Sequence, residues 1–217
     1  MHGAGRPGKE AWPQQGSAEA LFVDHTGYPT MSAKAHAVGE QSSGGPVVVI
    51  AHSLGAVIAA IAAQREYLDV SHFLLAEPAL YDIARGDTSI EHHIASMSQA
   101  RQFAQNGDLY RYWEIVSPMM FRRPASRARW ESESAFVARF AAMEPPWGHG
   151  IAAETFRQVP TLVVTGAWNN EYEAIAARLT RVGAQHVQLP GFGHRVQDHP
   201  DFNQLLDALE NGQLTSA

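Results

Sequence analysis

Ser53 stands between two small residues, Ala51 and Gly55, in the stretch from Pro46 to Ala63, P-V-V-V-I-A-H-S-L-G-A-V-I-A-A-I-A-A. A serine hydroxyl is a weak nucleophile. It attacks a carbonyl only when a base takes its proton and a third group orients that base. The apolar, β-branched run Val47 to Ala51 reads as a buried strand, and the alanine-rich run after it reads as a helix. A sharp turn at His52-Ser53-Leu54 between them has the form of a nucleophile elbow: the small flanking residues let strand and helix approach, and the hydroxyl is exposed on a strained turn. The helix start then points N–H groups and positive dipole at charge developing beside that oxygen. The first small position is more often glycine, and here it is Ala51. The best base is His194, on the glycine-flanked turn P-G-F-G-H, because it follows the last expected strand, where the chain order serine, acid, histidine requires it. Eleven histidines make a random one uninformative, so this setting decides the choice.

The elements that must position these residues alternate. Glu19 to Asp24 reads as a strand ending in the turn H-T-G-Y-P, and Met31 to Gln41 as a helix closed by the linker Ser42 to Gly45. Ala56 to Tyr67 continues the elbow helix, and Ser71 to Ala76 is the next strand. Strand, helix, strand in this order predicts an α/β fold with a mostly parallel sheet. From Leu80 to about Val159 the pattern is helical, with segments Ser89 to Asn106, Asp108 to Val116 and Ser126 to Met143 separated by Gly and Pro. Such an insert between two strands is expected to form a helical lid over the strand ends. Pro160 to Thr165 returns to the sheet, Glu171 to Val182 is a helix, His186 to Leu189 a last strand, and Asp201 to Glu210 a closing amphipathic helix. The expected organisation is a core from 1–79 and 160–217, with the lid at 80–159.

Composition narrows the function classes. Hydrophobic residues at 45% and charged ones at 18% suit a soluble globular protein. A net charge of −6 gives no support for a nucleic-acid or anionic-membrane partner. Arg122-Arg123 and Arg127-Arg129 read as a solvated face. The absence of cysteine removes disulfides, a thiolate nucleophile and a Cys-ligated metal. The apolar runs are too short to cross a bilayer and no signal-peptide pattern is seen, so a cytoplasmic location is expected.

The elbow A-H-S-L-G-A, the terminal G-F-G-H, the opening H-G-A-G and the helical insert together resemble the α/β-hydrolase superfamily over nearly the whole chain. The resemblance implies an α/β-hydrolase sheet, a Ser53 nucleophile, a His194 base and an oxyanion hole from the Leu54 N–H with that of Ala4. It implies no cofactor and no metal, and a small-molecule substrate. In many relatives the acid is an aspartate three residues past a glycine in the loop after the strand matching Thr161 to Thr165; here Gly166 is followed by Ala167, Trp168 and Asn169. A second position used by some members falls on Glu77, one helix and one strand beyond Ser53 and so at the same sheet edge. Glu171 or Glu173 are alternatives, as is the lack of a working acid, and Glu77 can also be read as a helix-initiating or lid-anchoring carboxylate. A serine at the elbow argues against the haloalkane dehalogenase and epoxide hydrolase branches.

Other candidates have structural readings. Asp24-His25 suits turn capping better than substrate contact. Glu91-His92-His93 with Asp87 could suggest a metal, but adjacent helical histidines point apart. Met119, Met120, Phe121, Trp113, Trp130 and Trp147 could line an apolar pocket or form the core of the insert, and His149 follows a rigid turn that could face a cleft. The family sheet normally has strands before the H-G loop, and none fits before His2. An N-terminal truncation is therefore expected, or else re-pairing or a partner chain at that edge. Together these readings favour a serine hydrolase of small-molecule esters or related acyl compounds. Acyl transfer or cofactor-free C–C hydrolysis would use the same residues. The rival is a non-catalytic ligand-binding scaffold or an inactive, truncated fragment.

Overall fold

The computed structural model describes residues 1–16, 20–42 and 44–210. Among these, four strands form one parallel sheet in the order β1 (Val47–His52), β2 (Val70–Ala76), β3 (Thr161–Thr165), β4 (Gln185–Gln188). The helices are α1 (Met31–Gln41), α2 (Leu54–Gln64), α3 (Thr88–Gln105), α4 (Leu109–Phe121), α5 (Trp130–Ala142), α6 (Asn170–Thr180) and α7 (Phe202–Glu210). The fold is a parallel α/β sheet flanked by helices. No helix among the described residues is long and apolar enough to cross a membrane.

The expected strand at Glu19 to Asp24 is not formed. Glu19 lies outside the described residues, and 20–25 is irregular, with Leu21 57% exposed. A period-2 pattern makes a strand only where a neighbour pairs its backbone. The outer edge of β1 is instead bridged near its end by Met1, whose nitrogen donates to Ile50 O (2.5 Å) and whose carbonyl accepts from His52 N–H (3.1 Å).

All five residues of β3 are buried, as expected for a strand covered on both faces. On one face Leu74, Ala76, Leu162 and Val164 pack with Trp12 and with Phe202 of α7. Burial of Phe202 is worth about 2–3 kcal/mol. On β2, Phe73 alternates with Leu74, and its ring meets Phe156 edge-on at 5.2 Å. The alanines of α2 serve close packing: all residues from Leu54 to Ala62 are buried.

The chain divides into two compact units, Met1–Arg85 with Pro145–Ala217, and Gly86–Glu144. The second contains α3 to α5. In it the buried Trp113 ring forms one cluster of ring contacts with the half-buried Phe136 and Phe140 and the exposed Phe121, and the Trp113 indole donates to Glu133 (2.8 Å). Asp87 caps α3 by accepting from Ser89 N–H, and Glu91 accepts from Gly86 N–H (2.8 Å); His92 is exposed and His93 buried. Trp130 packs edge-on against Tyr110.

Candidate active site

Register places the candidate residues at one sheet edge. His52 pairs with Ala76, and Ala76 with Val164, so the residues that follow them emerge side by side at the carboxyl ends of the strands. Two backbone bonds extend the alignment, Ser53 N–H to Ala76 O (3.0 Å) and Glu77 N–H to Val164 O (2.8 Å). Leu189 N–H to Thr165 O (2.8 Å) adds the segment leading to His194.

Ser53 occupies the turn between β1 and α2 with φ 53° and ψ −120°, a conformation that costs a non-glycine residue roughly 1–3 kcal/mol. Glu77 (φ 46°) and Ala167 (φ 53°) are also left-handed, so three of the five such non-glycine residues described lie at this edge. Strain concentrated there is a signature of a functional site, held in place by the surrounding packing. Gly55 is required sterically, because a Cβ there would lie 2.7 Å from His2 O and 2.8 Å from Met1 O. Leu54, the first residue of α2, is buried, and Ala4 lies in the exposed part of the opening loop.

Glu77 is fully buried. Its Oε1 accepts from Gly166 N–H (2.6 Å), and its Oε2 accepts from Trp168 Nε1 (2.8 Å) and lies 3.4 Å from His194 Nδ1. His194 is held on three further sides. Tyr172 stacks on its ring (5.1 Å, 28°), Trp168 meets it at an angle (6.2 Å, 69°), and its carbonyl accepts from His52 Nε2 (2.7 Å). Burial pushes His52 well below the ordinary histidine range, so its ring is neutral with the proton on Nε2. Burial likewise raises the Tyr172 and Tyr81 hydroxyls well above their usual range and keeps both un-ionised.

The structure thus brings Glu77 and His194 together and sets Ser53 next to His52, whose ring packs on His194 at 4.6 Å between centroids. Among the described residues no hydrogen bond joins Ser53 Oγ to His194, an arrangement common before substrate binds. The alternative acids lie elsewhere: Glu171 accepts from the Tyr81 hydroxyl (3.0 Å), and Glu173 accepts from Gln188 (2.7 Å). Asn169 caps α6 through its bond from Glu171 N–H (2.8 Å). Asp24 accepts from Thr26 N–H (2.9 Å) as a turn cap, His149 N–H donates to Asp82 (2.8 Å), and Trp147 packs on Tyr81.

Sequence reasoning missed three contributors. His52 ties the elbow to the histidine turn, Trp168 binds the buried carboxylate, and a network holds the opening loop. In that network Lys34 Nζ donates to His25 O (2.7 Å), His25 Nε2 to His2 O (3.1 Å), and His2 Nδ1 to Gly3 O (2.7 Å), with the two imidazoles stacked at 3.8 Å. No local pattern in the sequence signals these roles, which arise from contacts between segments far apart in the chain.

Comparison with known proteins supplies the family. Solved structures that the fold resembles include a thermophilic esterase (16% identity, TM-score 0.63, covering 100% of this chain and 89% of that one). Another is Est816, described as an N-acyl homoserine lactone degrading enzyme (17%, TM-score 0.61, 96% and 90%). A third is a carboxylesterase structure from the ammonia-oxidizing thaumarchaeon Nitrososphaera gargenis (14%, TM-score 0.58, 97% and 88%). At these identities the likeness concerns the fold. No curated protein sequence matches the chain. The model of the alpha/beta hydrolase family matches residues 2–202, and the chain belongs to that family.

Proposed function

We propose that this protein is a serine hydrolase acting on a small-molecule ester or related acyl compound through Ser53, His194 and Glu77. The observation that carries the reading is the buried Glu77 carboxylate beside His194 Nδ1, at the edge where Ser53 sits on its strained turn. With the Nδ1 proton directed at Glu77, neutral His194 keeps a lone pair on Nε2 to accept the Ser53 proton. The serine oxygen then bonds to the substrate carbonyl carbon, and the oxyanion is held by the N–H groups of Leu54 and Ala4. Collapse expels the alcohol, which takes the proton from His194, and water releases the acyl group by the same steps in reverse. Solved neighbours described as esterases fit this reading.

The test is labelling by a fluorophosphonate, which reacts with an activated serine. The wild-type chain should be labelled at Ser53, and Ser53→Ala should not be. Equal labelling of the two proteins would remove the nucleophile assignment. Glu77→Gln, folded to the same extent, should label roughly 10²-fold to 10⁴-fold more slowly; an unchanged rate would move the acid elsewhere.

A further inference from the structure

We infer that Trp168 is a positioning residue for the Glu77–His194 pair: its indole N–H holds Glu77 Oε2 so that the remaining lone pair of that oxygen faces His194 Nδ1. The inference rests on the reading of Glu77 as the acid and extends it to a residue whose type gives no hint of such a role.

A fully buried carboxylate needs donors on both oxygens, because water cannot supply them. Glu77 receives one fixed donor on each, Gly166 N–H on Oε1 (2.6 Å) and Trp168 Nε1 on Oε2 (2.8 Å). These two are short, whereas the His194 contact at 3.4 Å is long. The short pair therefore sets the plane of the carboxylate, and the histidine takes the direction left over. Ala167 makes this possible. Its left-handed backbone (φ 53°) bends the chain between Gly166 and Trp168, and both donors reach the same carboxylate from one loop. The indole cannot swing away freely, being packed against Tyr172 (5.9 Å) and His194 (6.2 Å). One loop after β3 thus supplies both anchors for a carboxylate that arrives from the end of β2.

Trp168→Phe removes the donor and keeps an aromatic ring in the packing. The maximal rate of fluorophosphonate labelling should fall roughly 10-fold to 100-fold, the value of a hydrogen bond to a charged group, while the half-saturating probe concentration changes by less than about threefold. In a Glu77→Gln background the same substitution should cost less than about twofold, because the group it positions is already lost. A packing role would instead give losses that multiply. An independent reading uses the ¹⁵N-labelled chain, whose five tryptophans each have one indole N–H resonance. The resonance missing in Trp168→Phe should shift in Glu77→Gln more than the other four. Non-multiplying losses together with this shift support the inference; multiplying losses, or an indole resonance indifferent to Glu77→Gln, overturn it. If the wild-type chain is not labelled at all, the hydrolase reading fails, and the resonance still decides whether the Trp168–Glu77 bond exists.

Discussion

Gly166→Ala tests the idea that the loop binding Glu77 and the histidine turn fit together as one unit. A Cβ on Gly166 would lie 2.5 Å from Gly193 O and 2.8 Å from Trp168 Cδ1. Gly166 does not occupy the left-handed region, so only the volume of the methyl opposes alanine. Restoring an ordinary contact of 3.4 Å to the carbonyl requires a separation of 3.4 − 2.5 = 0.9 Å. The carbonyl belongs to the residue before His194, whose Nδ1 is already 3.4 Å from Glu77 Oε2. If only a third of the movement lies along that contact, it passes beyond hydrogen-bond range. Overpacking of this kind costs about 1–3 kcal/mol of stability, and misplacing a catalytic group by about 1 Å costs roughly 100-fold in rate. Urea unfolding gives the first quantity. Fluorophosphonate labelling, run where both proteins are fully folded, gives the second. A variant within about 0.5 kcal/mol and twofold of wild type would refute the argument, since it would mean that the two loops separate without consequence.

Two further expectations follow from the opening loop. Burial pushes the His25 imidazole down to about 3 against an unfolded value of 6.5, so the folded state refuses a proton that the unfolded state accepts. The stabilisation is complete above pH 6.5 and is lost as pH falls from there toward 3; between pH 7.5 and 5 it amounts to about 2 kcal/mol. Urea unfolding at the two pH values should show the difference, and His25→Asn should lack that part of it; an identical pH dependence in the variant would count against the buried neutral ring. In Gly55→Ala the new methyl would press on the carbonyls of Met1 and His2 at 2.8 and 2.7 Å and displace the loop carrying the Ala4 N–H. Labelling should slow by roughly 10²-fold, at a stability cost of about 1–3 kcal/mol, and a rate within twofold of wild type would separate Ala4 from the oxyanion site.

How much of this was legible in the sequence depends on whether the determinant was local. Val47 to Ala63 carries its structure in its own pattern, a β-branched run, a small-residue turn and an alanine helix, and β1 and α2 form there. The strands at Val70–Ala76 and Thr161–Thr165 and the helices of the Gly86–Glu144 unit were legible for the same reason. Residues 20–25 show the limit, since a pattern suited to pairing does not create a neighbour. Glu77 could be reached from chain order, because one helix and one strand return the chain to the same edge. Trp168 could not, because its role depends on the backbone bend at Ala167 and on a carboxylate 91 residues away. The roles of His25 and Lys34 likewise arise only through the stacked ring and the backbone carbonyls they reach.

The bonds of the candidate site also constrain the order in which the molecule can be assembled. Gly166 and Trp168 reach Glu77 across 89 and 91 residues, His194 reaches it across 117, and His52 reaches the His194 carbonyl across 142. Closing such long loops is entropically little worse than closing moderate ones, about 0.6 kcal/mol per doubling, but it cannot begin until the distant segment exists. During synthesis the elbow and the Glu77 carboxylate are therefore present well before Gly166, Trp168 and His194. In that interval the acid remains hydrated and the β2 edge open, so β3, which brings both the neighbouring strand and the Gly166–Trp168 donors, is the element whose arrival allows the carboxylate to be buried. The histidine turn then docks onto a carboxylate already fixed in place, and the site is completed last.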